Sequence, residues 1–210
     1  MKEKSSGIKA EISGIFPTPI YQAKLDRKFT KRELRFLETT KTKLYPNFAN
    51  STSINKYVLH APPFATLKKE MELFVEDYFS KILAAPKTII PYITQSWLNY
   101  TEPKESHHKH RHPNSYLSGV FYVKANKAHD KITFSHSRYE QIKLSNTEWN
   151  LFNSETWFFT VESGDIILFP SRLTHEVKPT EGKDTRISLS FNVFVKGNLG
   201  IASNLTELIR

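Results

Sequence analysis

Cysteine is absent from this 210-residue chain, and that gap closes off several chemistries at once. Disulfides, thiolate zinc sites, iron–sulfur clusters and thiol nucleophiles are all excluded. Any metal must be held by nitrogen and oxygen donors. No apolar run approaches the roughly 20 residues of a membrane-spanning helix, and the first 30 residues lack the apolar stretch of a signal peptide. The expectation is a soluble cytoplasmic protein without membrane attachment. With only 7 glycines, the chain shows neither an internal repeat nor a low-complexity linker.

What is present is ordinary for a folded protein: 39% hydrophobic and 13% aromatic residues, so disorder is not the expected state. The length suits one domain, residues 1–210, able to bury a core without cross-links. The formal net charge of +9 raises the question of a nucleic-acid partner. Residues 1–43, however, carry 11 Lys/Arg against 5 Asp/Glu, so most of the excess lies in the N-terminal segment. That fits an acidic partner docking there, or simply a cationic surface. Nucleic-acid binding rests on charge alone, with no recognisable motif behind it.

Residues 1–9 read as a frayed polar terminus. "GIFPTPIYQAKL" (14–25) reads as a strand whose prolines confine it to a sheet edge. Thr30 and Glu33 form a capping box, with Phe29 against Leu34 as a hydrophobic staple, so a helix should begin at Thr30. "NFANSTSIN" (47–55) reads as a polar loop. A second helix is expected over 63–84, where Phe64, Leu67, Met71, Phe74, Tyr78 and Ile82 recur at helical spacing. After residue 86 the texture changes to short β-type runs: "TIIPYITQSWLNYT", "SYLSGVFYV", "KITFS", "TWFFTV", "DIILFP", "THEVKP" and "TRISLSFNVFV". Helices followed by strands predict an α+β fold. Residues 1–86 supply the first strand and supporting helices packed on one sheet, and 87–198 form a sandwich or jelly roll.

Chemistry concentrates in "HHKHRHPNS", residues 107–115, which holds four of the chain's 8 histidines. On a strand, His110 and His112 leave the same face and could chelate a divalent metal. A third ligand must come from elsewhere, and His175 in "FPSRLTHEVKP" follows an apolar strand and a turn. Further on, the run opened by Arg186 places Arg186, Ser188, Ser190 and Asn192 on one strand face. Ile187, Leu189, Phe191 and Val193 share the other. A row of one arginine, two serines and an amide suits the lining of a polar cavity, with the apolar face beneath the helices. Each residue alone also has an ordinary reading. "HHKHRH" can be a basic loop, His175 a turn histidine, Arg186 a salt-bridge partner, Tyr122 a core residue, and Trp97, Trp149 and Trp157 packing residues.

In order and spacing, "WLNY", "HRHPNSYLSGVFYV" and "GDIILFPSRLTHEVKPTEGKDTRISLSFN" resemble the Fe(II)- and 2-oxoglutarate-dependent oxygenases. The similarity is to their prolyl-hydroxylase-like branch of bacteria and phages, over roughly residues 92–195. The resemblance implies a double-stranded β-helix (a jelly-roll, cupin-like core), Fe(II), 2-oxoglutarate as cosubstrate and O2. His110 matches the first metal ligand and His175 the distal one. Arg186 matches the arginine that grips the cosubstrate's distal carboxylate, with Ser188 as helper. Tyr122 matches a tyrosine that contacts the same carboxylate, and Tyr100 stands where a cosubstrate-pocket tyrosine can occur. One departure is plain: His112 replaces the family's aspartate. Either three imidazoles hold the metal, or water or a carboxylate such as Glu105 completes the set. His107 and His108 match no ligand.

The implied reaction is hydroxylation of an unactivated C–H bond, of a peptidyl side chain such as proline or of a small molecule. Succinate and CO2 would be released. Two alternatives stand beside it: a cupin-like three-histidine metal protein that does not use oxoglutarate, and a non-enzymatic jelly-roll binding module. Substrate loops are expected within 124–153, and nothing in the sequence bears on the oligomeric state.

Overall fold

A computed structural model describes residues 9–136 and 144–209. The expected frayed terminus lies almost wholly outside them, as does the middle of the 124–153 stretch. In chain order the elements are β1 (Tyr21–Lys24), α1 (Lys31–Lys41), β2 (Leu44–Asn47), β3 (Asn50–Ser53), α2 (Ala65–Lys81) and β4 (Ile90–Thr101). There follow β5 (His107–His110), β6 (Leu117–Lys124), β7 (Lys131–Ser135), β8 (Thr156–Thr160), β9 (Asp165–Pro170), β10 (Thr174–Val177) and β11 (Arg186–Lys196). Two-residue strands β12 (Asn198–Leu199) and β13 (Leu208–Ile209) pair with each other near the C-terminus.

The capping box forms as read. The Glu33 amide donates to Thr30 Oγ1, and the Thr30 amide donates to Glu33 Oε2 at 2.7 Å. Arg27 then reaches both Glu33 carboxylate oxygens and also Glu70, tying the start of α1 to α2 through a largely buried ion pair. The expected staple does not form. Phe29 packs near Phe121 instead, and Leu34 is exposed. The expected second helix is shorter than its apolar pattern: Pro62–Phe64 make a 3-10 turn before α2, and Ile82 lies past its end. The stretch read as a polar loop is a hairpin, β2–β3. Its polar side chains serve as pairing groups: Thr52 Oγ1 donates to the Leu98 carbonyl, and the Leu98 amide donates to Ser53 Oγ.

All seven β-type runs after residue 86 become strands, distributed between two antiparallel sheets. The larger has the order β1-β9-β6-β11-β4-β3-β2 and the smaller β5-β10-β7-β8. From β4 to β11 the chain keeps crossing from one sheet to the other, with only β7 and β8 successive in the same sheet. This is a jelly-roll arrangement. β1 occupies one edge of the large sheet as expected, but the strand is shorter than the 14–25 stretch, and Pro17 and Pro19 lie before it.

Strict alternation gives the large sheet two different faces. Leu117 and Phe121 of β6, Ile166 and Leu168 of β9, and Leu189, Phe191 and Val193 of β11 meet Leu67, Met71, Val75 and Tyr78 of α2 in one core. The opposite face of the same strands looks between the sheets. There Val120, Tyr122, Ile167 and Phe169 pack with Ile132 and Phe134 of the small sheet. The rest of that interior is polar and holds the site.

Candidate metal centre and its pocket

The small sheet brings two histidines together through backbone pairing. His110 of β5 and His175 of β10 are direct register partners, with ring centroids 4.3 Å apart. His112 lies just past the end of β5, so it is not on the strand that carries His110. It is held by its own amide, which donates to the Ser171 carbonyl at 3.1 Å, and by the turn through Pro113 and Asn114. Asn114 takes the left-handed conformation (φ 55) that asparagine tolerates. The His112 ring sits 4.9 Å from that of His110 and 5.2 Å from that of His175. One nitrogen from each of the three falls within 4.8 Å of the others.

Hydrogen bonds fix two of these rings for metal binding. His110 Nδ1 lies 2.7 Å from the His108 carbonyl, and His175 Nδ1 lies 3.0 Å from the Leu173 carbonyl. A carbonyl only accepts, so each Nδ1 carries the proton and each Nε2 keeps a free lone pair. That is the arrangement which orients a ligating imidazole. Burial, reinforced by neighbouring imidazoles, lowers His175 to about 3 and His112 to about 4, so both are neutral at physiological pH. The donor chemistry and spacing fit a divalent transition metal. Glu105 is not part of this group; its carboxylate accepts from the Glu102 amide in its own turn.

The same pocket is lined by Arg186, Ser188, Tyr122, Asn99 and Ser190. Arg186 is 2% exposed, and among the described residues it has no ion-pair partner. Only Nη2 is engaged, donating to Thr101 Oγ1 at 3.3 Å, while Nε and Nη1 have no acceptor. A buried guanidinium with two unsatisfied donors is costly unless an anion completes it. Asn99 Oδ1 is also buried without a partner, its amide nitrogen donating to Ser190 Oγ. Tyr122 is fully buried beside Arg186, and burial pushes its phenol up. Tyr122 and Ser188 are register partners across β6 and β11.

Tyr100 does not belong to the pocket. Its hydroxyl donates to the Leu37 carbonyl at the end of α1, and its ring lies in the helix-side core. The neighbouring Asn99 and Thr101 are the β4 residues that face inward, so the expectation was one residue out of phase.

His107, given no role on sequence grounds, does line the pocket. Val177 pairs with His107 and His175 with His110, so three residue steps on β5 match two on β10. This β-bulge turns two histidines of odd separation to the same side. Trp97 reaches the pocket wall beside His112, and the Trp157 side chain is part of a separate surface groove.

Two sheets enclose an inward-facing triad of imidazoles and a buried arginine, an arrangement able to hold a metal ion beside an anion. Residues 95–192 match the family model described as "Putative 2OG-Fe(II) oxygenase", so this segment is similar to the 2OG-Fe(II) oxygenases. No curated protein sequence gives a significant match.

Solved structures agree on the fold. A prolyl-4-hydroxylase from Pseudomonas putida aligns with a TM-score of 0.55 and 14% identity over 83% of this chain and 92% of that one. The epimerase SnoN of nogalamycin biosynthesis, solved with Fe3+, alpha ketoglutarate and nogalamycin RO, gives 0.57 and 14% over 89% and 84%. HygX from Streptomyces hygroscopicus, solved with nickel, 2-oxoglutarate and hygromycin B, gives 0.55 and 11% over 84% and 82%.

Proposed function

We propose that this protein oxidises an unactivated C–H bond of its substrate, using Fe(II), 2-oxoglutarate and O2, with release of succinate and CO2. The observation that carries this reading is Arg186: a buried cation without a counter-ion, in the pocket where three imidazoles converge. We read the paired sheets as a double-stranded β-helix with the site in its interior.

In this reading His110, His112 and His175 hold the iron. Bound iron supplies the oxygen activation that couples oxidative decarboxylation of the cosubstrate to oxidation of the substrate. The chain's own residues do the rest. Arg186 offers its free Nε–H and Nη1–H to the distal carboxylate of oxoglutarate; a guanidinium suits this because it stays charged and presents its donors in a fixed fork. Ser188 and Tyr122 add neutral hydroxyls beside it. Phe134 and Phe169, packed on His175, exclude water from the ligand shell and hold the ring in place.

A cupin-like metal protein without oxoglutarate would leave Arg186 unpaired, and a non-enzymatic module would leave both features unexplained. The structural relatives include a prolyl-4-hydroxylase, an epimerase solved with nogalamycin RO, and HygX solved with hygromycin B. They support a reaction type and leave the substrate open between a peptidyl side chain and a small molecule. The test is oxoglutarate consumption by the iron-loaded protein with candidate substrates. The expected result is metal-dependent succinate formation that Arg186→Ala abolishes. Succinate formation unchanged in that variant would overturn the assignment.

A further inference from the structure

The bulge in β5 places a fourth imidazole in the pocket, and its hydrogen bonding differs from that of the metal-facing rings. His107 stacks on His110, with centroids 4.7 Å apart and planes at 17°. Its Nδ1 lies 3.2 Å from Asn50 Nδ2. In the structure that amide presents its nitrogen to His107: Asn50 Oδ1 accepts from Asn47 Nδ2 at 2.9 Å, and Nδ2 also faces Thr101 Oγ1. An amide nitrogen only donates, so with the amide in this orientation His107 Nδ1 accepts from it and the neutral ring carries its proton on Nε2. His110 and His175 are the reverse, with Nδ1 protonated and Nε2 bare.

We propose that His107 is a neutral hydrogen-bond donor to the dicarboxylic cosubstrate, its Nε2–H held toward a carboxylate oxygen by the amide of Asn50. The inference rests on the oxoglutarate reading above. With Nε2 protonated and the Nδ1 lone pair accepting from Asn50, neither nitrogen is free for a metal, which separates His107 from the ligand set even though it clusters with His108 and His110. Thr101 Oγ1 accepts from both Arg186 Nη2 and Asn50 Nδ2. One hydroxyl therefore links the guanidinium to the amide that orients His107. A dianion has more acceptor oxygens than the Nε and Nη1 donors of Arg186 can satisfy. His107, between that network and His110, supplies a further donor without adding positive charge beside the metal.

The proposal makes His107 Nε2–H observable before any cosubstrate is added. In 15N-histidine-labelled protein loaded with zinc, a diamagnetic and redox-silent stand-in, His107 should show the Nε2–H tautomer, and Asn50→Asp should reverse it. Oxoglutarate affinity of the zinc-loaded protein should fall roughly tenfold or more in His107→Phe and in Asn50→Asp. Zinc stoichiometry should be unchanged in both. His107→Phe keeps the ring stack, so it also covers the case in which Asn50→Asp folds poorly. Wild-type affinity in His107→Phe, an Nδ1–H tautomer in the parent protein, or loss of zinc on replacing His107 would each overturn the proposal. Absence of oxoglutarate binding by the parent protein would instead overturn the cosubstrate reading, and would appear as a failure common to every variant.

Discussion

His110 and His175 face each other across the antiparallel pair β5–β10, and the same register continues from His175 to Phe134 and on to Trp157. Four strands of the small sheet thus contribute one row of side chains to the same face. The histidine pair sits at one end of the row, on backbone hydrogen bonds rather than on a loop. This is the kind of support that keeps a metal geometry fixed before the ion arrives.

Arg186 should cost stability when no cosubstrate is bound. Its Nε and Nη1 are buried without acceptors, and an unsatisfied buried donor costs about 1–3 kcal/mol, more when charged. Arg186→Met keeps most of the volume and removes the charge. The melting temperature of the ligand-free protein should therefore rise by several degrees, while thermal stabilisation by oxoglutarate disappears. A lower melting temperature for the variant would show that the guanidinium is already satisfied.

Acid should weaken the metal-free protein through its buried histidines. His175 and His112 are lowered to about 3 and about 4 by burial, whereas the unfolded chain takes up these protons near 6.5. Between those values the unfolded state binds more protons, so the contribution is complete above pH 6.5 and is lost as pH falls toward 3–4. Urea midpoints at pH 7.5 and pH 5 should differ less in His175→Gln than in the parent. An equal difference would contradict the assignment of that ring as buried and neutral.

Helix and strand periodicity made most of this architecture readable. The alternation of Ile187, Leu189, Phe191 and Val193 against Arg186, Ser188 and Ser190 assigned both faces of β11 correctly. The His110, His175 and Arg186 grouping was visible from the order and spacing that resemble the oxygenases, with Arg186 opening a strongly alternating strand. Three features were not visible, for separate reasons. β2–β3 is built from residues whose burial depends on hydroxyl and amide hydrogen bonds, such as Thr52 and Ser53, and polarity alone marks such residues as loop. Tyr100 was misplaced because parity along β4 cannot be set without knowing which face meets the helices. His107 was passed over because a bulge changes parity by one residue and leaves no compositional trace.

Gly119 is the position where the large sheet has no room to spare. A Cβ there would stand 2.2 Å from the Phe191 ring, on the register partner across β6 and β11. Phe191 is fully buried in the helix-side core, so the ring cannot swing into solvent. Gly119→Ala should destabilise by about 1–3 kcal/mol through overpacking, read as a drop in the urea midpoint. A midpoint equal to that of the parent would show that the core can rearrange around the added methyl.

The central claim is that His110, His112 and His175 hold iron beside an oxoglutarate site anchored by Arg186. Its most direct measurement is anaerobic titration of Fe(II) into the protein with oxoglutarate, followed by visible absorption. The account predicts a charge-transfer band that saturates at one iron per chain, is absent in His175→Ala, and needs a much higher oxoglutarate concentration in Arg186→Ala. A band of full intensity in His175→Ala, or stoichiometric iron binding by the parent protein with no band, would contradict it.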